Sequence, residues 1–210
     1  MTFQKHDHRT HRSEEWHDKL EWVLGPESLR YESQVLRLVE RPGVFPADGH
    51  EHLFTILEVP DWVNVIALTP DEQVLLVRQY RVGRAAITLE IPGGMMDPED
   101  EDPVETGRRE LLEETGYQAD HYELIGTVEP NPALQTNRCH TILALDARLV
   151  QPQHLDPSER ILVETLPMSE VRRALADGRI VHSLVIAAFV WYFGYGQDGV
   201  KSPKRKSSNH

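Results

Sequence analysis

Glu110, Glu113 and Glu114 stand within about one helical turn of one another in the segment GGMMDPEDEDPVETGRRELLEETGY, Gly93 to Tyr117. Residues three and four apart share a helix face, so carboxylates gathered in this way repel one another unless a cation lies between them. Oxygen donors of this kind suit a hard divalent ion, magnesium or manganese, and such an ion beside a row of acids points to phosphate chemistry.

The flanking residues supply the helix that this spacing requires. Asp102 is placed as an N-cap, Pro103 as the first helical residue and Glu105 as the acid of a capping box, while Gly116 closes the far end. At about 100° per residue, Glu110 and Glu114 lie about 40° apart, and Val104 and Leu111 form a neighbouring stripe that faces a core. Gly107 falls between the two stripes and is expected to let another backbone approach the acidic face. Arg109 projects from a different side, toward Glu105 or the loop acid Glu101.

Taken together, the PGG turn, the capped helix and the Arg-Glu step resemble the Nudix box, Gly-x5-Glu-x7-Arg-Glu-U-x-Glu-Glu-x-Gly-U, where U is bulky and apolar. Arg109, Glu110, Leu111, Glu113, Glu114, Gly116 and Tyr117 match it in register, and Glu101 lies eight residues before Arg109. Between Gly94 and Glu101 there are six residues, so the loop is one longer than the pattern or Asp100 shares the acid's role. The resemblance implies an α+β protein, a Nudix-type α/β/α sandwich with a mixed sheet over about Trp62 to Phe193. It also implies Mg2+ or Mn2+ as cofactor, held by Glu110, Glu113, Glu114 and the carbonyl of Gly93, with Glu110 and Glu114 catalytic.

Other residues bear on the substrate. In VLLVRQYR, Arg78 and Arg81 echo the family's strand beside the active site, where a guanidinium holds a diphosphate bidentately, and Arg81 is the better placed. Pro132 lies sixteen residues beyond Gly116, a spacing associated with ADP-ribose pyrophosphatases, whereas Asn137 in NPALQTN replaces the acid that follows in relatives. Related sugar-nucleotide enzymes carry a general base on a late loop, which makes Glu159 the candidate and Glu164 its rival. Trp62, at the head of a strand, stacks on a nucleobase or is buried as core.

The activity implied is metal-dependent hydrolysis of the pyrophosphate bond in a nucleoside diphosphate derivative, ADP-ribose or another NDP-sugar, to a nucleoside monophosphate and a sugar phosphate. Removal of pyrophosphate from nucleoside triphosphates, cleavage of dinucleoside polyphosphates, and non-catalytic sensing are the alternatives. A complete carboxylate set disfavours the sensor, which needs no activated water.

Composition agrees with a small-molecule nucleotide as partner. The 210 residues are 40% apolar, enough for one core domain with an extension, and carry a net charge of −12. Residues 1–12 contribute +2 and residues 201–210 contribute +4, leaving a body of −18 that argues against binding a nucleic-acid backbone. Cys139 is the single cysteine, so no internal disulfide exists, and a lone thiol in RCHTILAL is expected to be packing rather than a nucleophile. No signal-like apolar run opens the chain, and Leu184 to Phe193 is half of what a membrane span requires, so a cytoplasmic protein with a buried last helix is expected.

Along the chain, residues 1–15, with His6, His8 and His11, read as a disordered tail and 196–210 as a basic flexible tail. Residues 16–60 form a small β region, with an irregular or helical piece to about Arg30 and then strands over 31–45 and 52–59. That region resembles the element by which the sugar-nucleotide branch forms homodimers, often by exchange between subunits. Residues 61–195 make the catalytic domain, with strands at WVNVIALT, VLLVRQY, ITLE, 122–129 and 139–145 and late helices at about 168–177 and 183–193.

Overall fold

The computed structural model describes residues 19–194; the two expected tails lie outside the described residues. These residues fall into two compact units, one made of the chain up to Val59 together with Ala133–Thr136, the other of Pro60–Pro132 and the chain from Asn137 onward.

In the first unit, Val23–Leu24 (β1) and Ser28–Glu32 (β2) pair with one edge of Arg37–Phe45 (β3), whose other edge pairs antiparallel with His50–Glu58 (β4). Gly49 adopts a φ of +72° in the connecting turn, the left-handed backbone that glycine tolerates best. The Trp22 ring packs on Phe45 and Phe54 at 5.3 and 5.0 Å, an aromatic cluster on one face of this sheet. Part of the stretch expected to be irregular or helical is therefore strand, because β2 finds its partner in β3 rather than in local helix bonds. Leu57 also pairs with the late segment, donating its N–H to the carbonyl of Leu134 at 2.8 Å.

In the second unit, the run WVNVIAL lacks a polar face because both of its faces are covered. Trp62–Leu68 (β5), Gln73–Arg81 (β6), Ala86–Glu90 (β7), His121–Val128 (β9), Cys139–Leu145 (β10) and Ile161–Pro167 (β12) form a mixed sheet, while Tyr117–Gln118 (β8) pairs with Arg148–Leu149 (β11). The order is β12-β6-β5-β10-β9 with β7 beside β6; β5 and β10 are parallel and the other pairs antiparallel. Val65, Ala67, Leu75, Ile142 and Ala144 pack on Leu111 of helix α1, Pro103–Thr115. Ile66, Leu68, Val74, Leu76 and Leu143 pack on Val171 and Ala174 of α2, Met168–Ala176, and on Val185, Ala188 and Phe189 of α3, Ser183–Gly194. Alternate residues of the central strands thus serve opposite helix layers, which is the expected α/β/α sandwich.

Two details differ from expectation. β12 was not foreseen: ILVETLP finds its partner in β6, some eighty to ninety residues earlier. α3 is buried on one side only, with Ile186, Val190 and Trp191 exposed. Cys139 is buried as expected, and burial pushes its thiol up to about 12, so it does not ionise near neutral pH. Among the described residues no helix is long and apolar enough to cross a membrane.

Gly107 sets the spacing between α1 and the sheet, and not the approach to the acidic face. A Cβ there would stand 2.9 Å from Ile142 Cγ1 and 3.3 Å from Val65 Cγ2. Replacing Gly107 by Val is expected to lower stability by about 1–3 kcal/mol in urea unfolding, because the core must open to admit the branch. Ala brings the same Cβ and should lose a smaller part of this, its better helix propensity offsetting some of the tighter contact.

Candidate active site

The site forms where β6 leaves β5. The two strands pair only at Leu68 and Val74, and the vacated edge of β5 is filled by the loop that follows β7. Val63 N–H donates to the Gly94 carbonyl at 2.9 Å, Val65 N–H to Pro92 at 2.8 Å, and Met96 N–H to Asp61 at 2.8 Å. Side chains would prevent this fit: a Cβ on Gly93 would meet the Val63 carbonyl at 2.1 Å, and one on Gly94 would meet the Glu110 carboxylate at 2.5 Å.

On the other side of this loop lies α1. Asp102 caps it by accepting from Val104 N–H at 2.9 Å, and Gly116 ends it with a φ of +76°. Glu105 pairs with Arg108 at 3.3 Å. Gly107, Leu111 and Glu114 lie at helical spacing on the buried face, so a carboxylate occupies a core position. Glu114 is 2% exposed and accepts from Gly93 N–H at 2.9 Å. Burial drives its carboxyl up to about 8, against the pull of the Gly93 N–H and with the help of Glu110 and Glu159. Glu110 is likewise pushed up to about 7, first by burial and then by Glu113 and Glu159, with Arg109 opposing.

Arg109 finds neither of its expected partners. Its guanidinium donates to both oxygens of Asp100, at 3.2 and 3.0 Å, and lies 3.3 Å from Asp97, while Glu101 is exposed. Asp100 also accepts from Asp97 N–H and the Thr106 hydroxyl, and the Arg109 guanidinium leads these contacts in holding its carboxyl below the usual range. Five residues separate Gly94 from Asp100, so the extra residue of the box falls between the acid and Arg109, not before the acid.

Both arginines of β6 are ion-paired. Arg81 donates to Glu90 through Nε and Nη2 at 2.9 and 2.6 Å, and the Thr88 hydroxyl adds a third bond to Glu90 at 2.6 Å. Burial works to raise the Glu90 carboxyl, but Arg81 and Thr88 prevail and hold it below the usual value. Arg78 pairs with Glu164 at 2.9 Å, so the rival base is tied to β6. Glu159 lies in the loop before β12, which is pinned to the end of α1: His154 N–H donates to the Glu113 carbonyl at 2.9 Å and Gln153 Nε2 to the Glu114 carbonyl at 2.5 Å. Its charge bears on Glu110, Glu114 and Arg81 alike.

A cavity of about 390 Å³ adjoins the loop, lined by Trp62, Asn64, Arg81, Glu90, Gly93, Gly94 and His182 among others. Trp62 is half-buried on its wall rather than in the core. Asn137 is a structural tie, 2% exposed with Nδ2 donating to the Pro60 carbonyl at 3.1 Å. Sequence reading missed Glu90, Asn64 and His182. For Glu90 the signal was an acid on the same face of the β6–β7 pair as Arg81, four residues beyond its partner Ala86; a lone Asn and His carry none.

Among the described residues no three acidic, histidine or cysteine side chains close tightly around one point. The donors nevertheless suit a hard divalent ion: Glu110 and Glu114 are oxygen ligands whose burial disfavours their charged form, the condition a cation relieves, and the Gly93–Gly94 backbone lies against both.

Known proteins share this architecture. A model of the NUDIX domain matches residues 58–189. A methanol dehydrogenase activator of Bacillus methanolicus is 30% identical over 63% of this chain and 72% of its own, and an ADP-ribose pyrophosphatase of Bacillus subtilis 28% identical over 65% and 74%. The crystal structure of an ADP compounds hydrolase superposes with a TM-score of 0.73 over 83% of this chain and 93% of its own, at 19% identity. With the matched domain spanning the sheet, the acidic helix and the loop between them, the chain belongs to the Nudix family and is an enzyme acting on pyrophosphate bonds.

Proposed function

We propose that the protein hydrolyses the pyrophosphate bond of a nucleoside diphosphate linked to a sugar, ADP-ribose or another NDP-sugar, with a divalent cation, magnesium or manganese. The observation that carries this reading is the buried Glu110–Glu114 pair set against the Gly93–Gly94 loop, with the cavity opening beside it. The likeness to an ADP-ribose pyrophosphatase supports the substrate class.

In this reading Glu110, Glu113, Glu114 and the Gly93 carbonyl would hold the cation, which when bound would neutralise the diphosphate and lower the pKa of the attacking water. Arg109 and Asp100 hold the loop against the helix so that these oxygens converge. Glu159 takes the proton of the water as its oxygen adds to one phosphorus; the bridging oxygen leaves with the other phosphate, giving a nucleoside monophosphate and a sugar phosphate. Arg81, half neutralised by Glu90, steadies a phosphate oxygen, and Trp62 offers its ring to the nucleotide. Exposed Leu29, Tyr31 and Leu53 on the first unit's sheet support self-association there into a homodimer.

Incubating the protein with ADP-ribose, other sugar nucleotides, NADH and dNTPs, with magnesium or with EDTA, tests the reading. Metal-dependent release of AMP from ADP-ribose is expected, and no cleavage of any sugar nucleotide would overturn it. Glu114→Gln should lower turnover by about 100-fold or more while circular dichroism stays unchanged.

The carboxyls also set a pH dependence. Glu110 and Glu114 bind protons more tightly in the native state, at about 7 and about 8, than their ordinary 4.5. Their contribution to stability is therefore full below about 4.5 and is lost as pH rises through 7 and 8. Urea midpoints in EDTA should fall between pH 5 and 8.5, less steeply for Glu114→Gln, and magnesium should restore them.

A further inference from the structure

Two polar atoms in the wall of the cavity have no use in the chemistry described so far. Asn64 Nδ2 and His182 Nδ1 are both buried, and neither has a hydrogen-bond partner among the described residues. Asn64 lies on β5, its amide oxygen about 3.0 Å from where a Gly93 Cβ would stand. His182 precedes α3 and its carbonyl accepts the first helical bond, from Ile186 N–H at 3.0 Å, so its position is fixed by the helix. A buried amide and imidazole without partners destabilise a fold, so a ligand that satisfies them gains affinity.

The chemistry of the wall restricts that ligand. Burial lowers the His182 pKa, with Arg81 adding repulsion and Glu90 opposing, so the ring is neutral near pH 7 and its nitrogen donates or accepts according to tautomer. Arg81 is ion-paired with Glu90 and the lining's other cation, Arg84, is exposed, so phosphate oxygens have these two guanidiniums and the buried Asn64 and His182 atoms are left for a neutral group. Hydroxyl groups both donate and accept, and they suit an amide N–H beside a neutral imidazole. The cavity begins at Gly93 and Gly94, next to the carboxylates, so the group entering it is one bonded directly to the diphosphate.

Resting on the reading above, we propose that Asn64 and His182 are substrate-positioning residues that grip the hydroxyls of a sugar attached to the diphosphate. The test compares wild type, His182→Phe and Asn64→Leu on ADP-ribose, on ADP esterified with a plain alkyl alcohol, and on ADP-ribose whose nucleoside ribose lacks its 2′ and 3′ hydroxyls. Each variant should lose about 10-fold or more in kcat/KM on ADP-ribose, chiefly through KM, and little on the substrate that lacks the partnered hydroxyls. Which of the two substrates is spared identifies the sugar. Equal losses on all three, or no loss on any, would overturn the proposal. Cleavage of none by wild type would instead reject ADP-ribose as the substrate; binding is then followed in the wild-type protein with EDTA by the imidazole nitrogen signals of labelled histidine. A His182 signal that shifts with ADP-ribose and stays put with at least one of the alkyl and dideoxy esters supports the subsite, and one unmoved by ADP-ribose, or moved alike by all three, rejects it.

Discussion

Everything at the site depends on how closely a backbone can pass between a strand and a helix. Pro92 to Gly94 runs along β5 on one side and against the carboxylates of α1 on the other, with room for hydrogens but not for methyl groups. That narrow seam removes Glu110 and Glu114 from water and turns two ordinary acids into groups that hold their protons near neutral pH. It also gives Glu114 its one directional contact, the Gly93 N–H. A wider gap would let solvent in, and the carboxylates would revert to a solvated acidic face.

The arrangement around the seam keeps this costly burial in place from several directions. The Arg109–Asp100 fork ties the loop to the helix, Asp102 and Gly116 set the two ends of the helix, and Gly107 lets its middle sink onto Ile142 and Val65. Gln153 and His154 fasten the following loop to the helix's last carbonyls, where no intrahelical donor remains. Each contact satisfies a local need of helix or loop, and together they fix the carboxylates.

What was legible in the sequence was local. The helix, its cap, its terminal glycine and the three glutamates follow from neighbours within a few positions, and the β-rich runs WVNVIAL and VLLV read as strands. What was hidden depends on chain path. Glu101 and Asp100 are adjacent in sequence, and only the turn from Asp97 decides that Asp100 meets Arg109. Arg81 reads as a free cation until the β6–β7 register, with Ala86 opposite Arg81, puts Glu90 on the same face and within reach of its guanidinium. β12 is a strand because β6 offers an edge, and Glu164 is thereby claimed by Arg78. Trp62 and His182 become wall rather than core only once the β5 edge has opened.

The chain does not divide as its linear order suggests. Ala133–Thr136 belongs to the unit that was completed at Val59, with Leu57 donating to Leu134 and accepting from Thr136. The polypeptide therefore passes from one unit to the other three times rather than once. A protein shortened to begin at Pro60 would keep this four-residue excursion but lose the strand that satisfies its backbone. The two units are thus not interchangeable cassettes: any transplant of the later one onto a different leading segment must redesign the stretch after Pro132, or carry β4 with it.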